Sequence, residues 1–158
     1  MDHIRICLEK DVESKYRPFD DVVLIHKALP EIDESEINTS CSFLGKKINA
    51  PIIISAMTGG HPDTKEINLN LATAAQEMGI AMGVGSQRAA LEDPVQIDTF
   101  SAVRDIAPDI PIIGNIGGVQ LQRSGPEVIE RLAEMIDADA IAIHLNFLQE
   151  SIQPIALG

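Results

Sequence analysis

The sequence has no tryptophan, and aromatic residues make up only 3% of its 158 positions. A core without large rings must be filled by Ile, Leu, Val, Ala and Met, the composition of strands buried on both faces, which leans toward an α/β protein. Cysteine is equally scarce. Cys7 and Cys41 lie far apart, with neither a CxxC nor a His at ligand spacing, so a thiolate metal site or a disulfide framework has little support. They read as reduced thiols of a cytoplasmic protein. No apolar run approaches the roughly 20 residues that span a bilayer, and the opening MDHIRICLEK is charged from its second residue, unlike a signal peptide. Positive charge is also in deficit: 12 Lys and Arg stand against 24 Asp and Glu, a net charge of -12. Without a basic footprint a general nucleic-acid role is excluded, and any phosphate must be held locally.

What is present suffices for a folded domain with a core, since 45% of residues are hydrophobic and 23% charged. From residue 50 one pattern repeats: an apolar run, a Gly-rich or polar turn, then an amphipathic stretch. The runs are 51–57, 80–84, 111–116 and 140–145, with helices expected over 64–79, 94–106 and 126–136. In the first helix Leu69, Ala72, Ala75, Gln76 and Met78 fall near a helical period, and Gly79 can end it with positive φ. The strand starts are spaced by roughly 30 residues, the length of a βαβ unit.

Four such units in succession predict a parallel sheet with right-handed crossovers. A Rossmann-like sheet would want GxGxxG after its first strand, and SAMTGGHPD lacks that spacing. A (β/α) barrel is favoured, because each strand ends in polar or Gly-rich residues where the loops of a barrel build a site. A full barrel takes eight units and typically about 250 residues. The expectation is therefore a partial TIM barrel of about four βα units over residues 50–158, preceded by an N-terminal capping segment over 1–49. That segment should hold a helix over 4–15 and short strands over 22–25 and 38–43, and should cap the barrel floor. Half a barrel leaves two open parallel edges, so it is expected to pair with another copy, to misfold, or to be a piece of something longer.

Four strand ends could carry chemistry. Ser55, Ala56, Met57, Thr58, Gly59 and Gly60 follow the first run; small side chains there either let a flat ligand reach the backbone or make a plain tight turn. Gly83, Val84, Gly85, Ser86, Gln87 and Arg88 end the second run, suited to an anionic phosphate or simply a glycine turn with an exposed Arg. Asn115, in an otherwise apolar third run, must satisfy its amide through a ligand's polar edge or through neighbouring strands. The fourth run delivers His144, Asn146, Gln149 and Glu150 together. His144 and Asn146 share one strand face, and Glu150 could hold a Mg²⁺ that also touches a diphosphate. Asp20 and Asp21 read as a solvated turn. Asp137 and Asp139 flank a strand start, His26 and His61 have no evident partner, and Met78, Met82 and Met135 read as packing residues.

The stretches FDDVVLIHKALPEID, INAPIIISAMTGG, GVGSQRAAL, IGNIGG and IHLNFLQESIQP resemble type 2 isopentenyl-diphosphate isomerase in order and spacing over residues 3–154. The resemblance implies a TIM barrel that binds FMN and Mg²⁺, with NADPH as flavin reductant, and interconverts isopentenyl and dimethylallyl diphosphate. By position it implies Ala56, Met57, Thr58, Ser86 and Asn115 at the FMN, and Ser86, Gln87, Arg88 and Gln149 at the substrate. His144, Asn146 and Gln149 become catalytic pocket residues and Glu150 the Mg²⁺ ligand. It further implies a cytoplasmic homo-oligomer acting on a small diphosphate, with no membrane and no nucleic-acid partner. The family places an Arg-Lys pair before the His that His3 resembles, and it continues past Gln153 and Pro154 with four more βα units. The 158-residue chain alone is accordingly expected to be weakly active or inactive. The rival readings are an FMN-dependent oxidoreductase of the hydroxy-acid oxidase type, or a non-enzymatic, self-associating half-barrel.

Overall fold

The computed structural model describes residues 2–146 and 148, in two compact units that divide between Asn38 and Thr39. The first unit opens with helix α1 (Asp2–Glu9) and continues mainly without regular structure. Two 3₁₀ turns, Pro18–Asp21 and Glu34–Glu36, punctuate it. Asp33 closes a capping box over the second turn; the Ser35 hydroxyl donates to its carboxylate at 2.6 Å and the Ser35 amide at 2.8 Å, and these two bonds hold the carboxyl below its ordinary value. Tyr16 donates to Asp21 at 2.7 Å, which raises the phenol. The helix is shorter than the expected 4–15, and the expected strand over 22–25 does not form. Val22, Val23, Leu24 and Ile25 are exposed and have no ladder partner among the described residues.

The second unit begins with a hairpin, β1 (Cys41–Phe43) antiparallel to β2 (Lys46–Ile48). Its turn places Leu44 and Gly45 at positive φ, the arrangement whose twist matches a tight hairpin. The strand expected over 38–43 is the first arm; the second arm, only three residues long, gave no pattern to read.

The rest is three βα passages and a fourth strand: β3 (Ile53–Ile54), α2 (Pro62–Met78), β4 (Ala81–Gly83), α3 (Arg88–Glu92), α4 (Asp98–Ile106), β5 (Ile112–Gly117), α5 (Gly118–Ser124), α6 (Val128–Ile136) and β6 (Ala140–His144). The four strands are parallel and stand side by side in chain order, β3-β4-β5-β6. Gly79 ends α2 in the left-handed region, φ 64°, as its position predicts. Asp137 takes the same conformation after α6, φ 49°, a setting Asp tolerates better than branched residues.

Strand alternation sorts the sheet into two faces. Ile54, Met82 and Ile112 pack with Ala72 and Ala75 of α2, Phe100 and Val103 of α4, and Ile136 of α6. Ile116 packs with Val128 and Leu132 of α6, and Ile141 lies against the same cluster. The helices therefore cover one face. The alternate residues Ile53, Ala81, Gly83, Ile113, Asn115, Ala142 and His144 belong to the other. On α2 the buried stripe is Thr64, Asn68, Ala72 and Ala75, while Met78, read as a packing residue, is exposed. Met82 is wholly buried and Met135 packs against both clusters, in line with their reading. Cys7 and Cys41 are free thiols.

At the N-terminal end of β6 lies an ion cluster that sequence reading passed over. Asp139 accepts from Lys46 Nζ at 2.8 Å, Arg104 Nη2 at 2.8 Å and the Ile112 amide at 2.8 Å. Arg104 also donates to the carbonyls of Ala107, Ile110 and Asp137. Burial alone would raise the Asp139 carboxyl; Lys46, the Ile112 amide and Arg104 outweigh it and hold the carboxyl below its ordinary value.

Candidate active site

The C-terminal strand ends are stitched together by backbone. The Gly85 amide donates to Thr58 O at 2.7 Å, joining the β3 and β4 ends, and the Gln87 amide donates to Asn115 O at 2.8 Å, joining β4 to β5. Parallel register then sets Asn115 opposite Ala142 and Gly117 opposite His144. Thr58, Ser86, Asn115 and His144 thus lie along one edge of one sheet. Asn115 and His144, two residues apart in register, share the face away from the helices.

The β3 end is shaped by buried polar residues. Thr58 is buried, and its hydroxyl donates to Asn68 Oδ1 at 2.5 Å. Asn68 returns its Nδ2 to Thr58 O at 3.3 Å and to Thr99 O at 3.1 Å, while Thr99 Oγ1 accepts from the Gly60 amide at 2.9 Å. A buried carboxamide with all three bonds made on helix α2 thereby fixes a glycine loop. Gly59 must be glycine, because a Cβ there would enter the Phe100 ring. Met57 is exposed and Ala56 half-buried beside Gly83. Asn68 and Thr99 were absent from the sequence-level candidates. The available signal was the spacing Thr64, Asn68, Ala72, Ala75, which puts two polar residues in register with small core ones. His61 also acquires a role: it caps α2, its Nδ1 accepting from the Asp63 amide at 3.2 Å.

At the β4 end the three residues expected at the substrate part company. Ser86 is exposed. Arg88 is partly exposed, its Nε 3.8 Å from Glu92 Oε1. It lines a cavity of about 150 Å³ between α3 and α5, together with Leu91, Glu92, Gln120, Arg123 and Ser124. Gln87 is instead enclosed, at 0% exposure: Oε1 accepts from the Asn115 amide at 3.1 Å and Nε2 donates to Leu132 O at 2.9 Å. Its carboxamide is occupied within the fold, whereas Ser86 and Arg88 face outward on either side of it.

Asn115 is 9% exposed, and its side chain makes no hydrogen bond to another described residue. An amide so placed at a strand end is a ready partner for a polar ligand edge. His144 and Asn146 are both exposed, on the last strand and just past it. Gln149 and Glu150 lie outside the described residues. Among the described residues no cluster of three His, Cys, Asp or Glu is placed to hold a metal ion. Nor is any described helix long and apolar enough to cross a membrane.

A family model described as FMN-dependent dehydrogenase matches residues 8–103. The chain is 71% identical over 154 residues to isopentenyl-diphosphate delta-isomerase of Methanothrix thermoacetophila, the match covering 98% of this chain and 43% of that one. It is 56% identical over 154 residues to the protein of that name from Archaeoglobus fulgidus, with 98% and 45% covered. The counterpart in Halobacterium salinarum is 55% identical over 155 residues, with 97% and 43% covered. The chain thus spans less than half the length of these curated relatives.

Proposed function

Since this chain belongs to the FMN-dependent dehydrogenase family, we propose that it forms the first part of a flavin-binding (β/α)8 barrel enzyme that interconverts isopentenyl and dimethylallyl diphosphate. In this reading residues 50–158 are the first half of the barrel and residues 1–49 a cap. The strand order supports a barrel wall: four parallel strands follow one another without the reversal at which a doubly wound sheet opens its crevice. The 71% identity to a protein named isopentenyl-diphosphate delta-isomerase supports the reaction.

The observation that carries the proposal is Asn115, a nearly buried carboxamide without a side-chain partner among the described residues, at the centre of a row of joined strand ends. It fits the polar edge of a flavin. Ala56, Met57 and Thr58 offer a small-residue shelf beside it, and Gly83 lets that shelf approach, since a Cβ there would lie 3.2 Å from the Ala56 nitrogen. FMN, once bound and reduced, supplies the proton exchange of the isomerisation, and NADPH is its reductant. The Ser86 hydroxyl and the Arg88 guanidinium bind the diphosphate, Arg88 exchanging a loose ion pair for a bidentate one. His144 and Asn146 orient the allylic carbon chain from the β6 end. Gln149 would contact the substrate, and Glu150 would ligate a Mg²⁺ whose charge offsets that of the diphosphate. The complete protein is a cytoplasmic homo-oligomer acting on a small molecule, and the 158-residue chain alone turns over slowly or not at all.

Purified protein with FMN, a reductant, Mg²⁺ and isopentenyl diphosphate tests this. Any turnover should be slow, dependent on FMN and Mg²⁺, and should convert isopentenyl diphosphate without net consumption of reductant; a rate matching the longer relatives contradicts the weak activity proposed for the chain alone. A parallel trial adds a 2-hydroxy acid to the oxidised flavoprotein without oxygen. Bleaching of the flavin by the hydroxy acid would transfer the assignment to the oxidase class.

A further inference from the structure

The chain takes a detour at the β4 end, and its return is made by a side chain. Val84 keeps ladder register, its amide donating to Ile113 O at 3.0 Å. Gly85 then leaves the ladder for Thr58 O, which throws Ser86 outward. Gln87 re-enters: its own amide donates to Asn115 O at 2.8 Å while its Oε1 accepts the Asn115 amide at 3.1 Å. One residue thereby takes up both backbone groups of Asn115, which two residues of a regular parallel neighbour would otherwise share. Its Nε2 is tethered to α6 through Leu132 O at 2.9 Å and Met135 Sδ at 3.6 Å. Gly114 leaves the room this needs, since a Cβ there would strike Gln87 Oε1 and lie 2.5 Å from Ile141 Cδ1.

We propose that Gln87 is a positioning residue that sets the diphosphate-facing pair Ser86 and Arg88 in register with the flavin-facing Asn115. This deepens the functional reading above and rests on it. Gln87 does not touch the substrate; it acts through the residues on either side of it and through the backbone of Asn115. The residue type follows from the two ends of the carboxamide, because one must accept from a peptide N–H and the other donate to a peptide carbonyl. Methionine matches the volume, cannot donate, and offers only a weakly accepting thioether in place of the carbonyl oxygen.

The test compares wild-type protein with Gln87→Met by amide hydrogen exchange and by separate titrations with FMN and inorganic pyrophosphate. Positioning predicts that exchange at the Asn115 amide accelerates by roughly tenfold, the factor an ordinary internal hydrogen bond supports. The remote Ala107 amide, bonded to Val103 O in α4, should keep its wild-type rate. Both affinities should fall together. Equal acceleration at Asn115 and Ala107, with unchanged affinities in the folded protein, would reduce Gln87 to general stability and overturn the proposal. If the wild type binds neither ligand the functional reading fails and the proposal with it, whereas the exchange result separately decides whether the clamp exists. Should Gln87→Met not fold, Gly114→Ala displaces the same carboxamide with Gln87 retained, and the same measurements and outcomes apply.

Discussion

Replacing Asp139 with asparagine should cost about 1–3 kcal/mol of folding stability, the range for losing charge-assisted hydrogen bonds in a partly exposed ion cluster. The carboxylate is 18% exposed, and without its charge Arg104, 14% exposed, and Lys46 face each other across a neutral amide. Urea unfolding followed by circular dichroism would read this as a lower midpoint at unchanged slope. The sign of the pH dependence follows from the direction of the shift. The folded carboxyl titrates below its unfolded value near 3.8, so its contribution is complete above that pH and is lost as pH falls through the lower folded value. Wild type should therefore lose stability in that acid window more steeply than Asp139→Asn. Identical midpoints for the two proteins at neutral pH would remove Asp139 from the account of what joins the β1-β2 hairpin to the sheet.

Gly85→Ala should be comparably damaging, and it should damage the site as well as the fold. A Cβ at Gly85 would lie 2.5 Å from Thr58 O, 2.6 Å from its carbonyl carbon and 3.0 Å from its nitrogen. All three are backbone atoms of a residue already held by Asn68, so relief must come from separating the β3 and β4 ends. About 3 kcal/mol is expected, at the upper end for overpacking. Gly45→Ala is the control. Gly45 has positive φ but nothing within 4 Å of the added atom, so only backbone strain of about 1 kcal/mol applies. Thermal unfolding of both variants checks the contrast, and equal shifts would mean that close approach at Gly85 is not what joins the strand ends.

The elements legible in the sequence were those whose pattern spans many residues. The apolar runs at 80–84 and 140–145 contain β4 and β6, the run at 111–116 holds all of β5 but Gly117, and the helix over 64–79 is α2 to within two residues at its start. The expected helix over 94–106 resolves into a 3₁₀ turn, Pro94–Ile97, followed by α4, since Pro94 opens a turn that Asp93 caps. α3 and α5, of five and seven residues, are too short to carry a period and were not foreseen. The run 51–57 yields only the two-residue β3 on an outer strand, because Pro51 brings no N–H to a ladder.

The site was legible as a location more than as a set of bonds. Residue type and strand position put Thr58, Ser86, Asn115 and His144 on one edge, where they are found. They could not distinguish Ser86 from Gln87, since adjacent polar residues look alike until one is seen to be enclosed. Asp139, read only as flanking a strand start, was given no role for the complementary reason: its partners Lys46 and Arg104 lie 93 and 35 residues away, and long-range ion pairs leave no local pattern. Asn68 was missed because a polar residue on a helix ordinarily meets solvent, whereas this one lies on the buried face of α2.

The account stands on flavin lying across these joined strand ends, and nuclear magnetic resonance of ¹⁵N-labelled protein during addition of FMN tests it most directly. The largest shifts should fall on the amides of Ala56, Met57, Thr58, Ser86 and Asn115, including the Asn115 side-chain amide, with Ala107 and the Asp139 region unmoved. Shifts centred on the opposite end of the sheet, or none at saturating FMN, would contradict it.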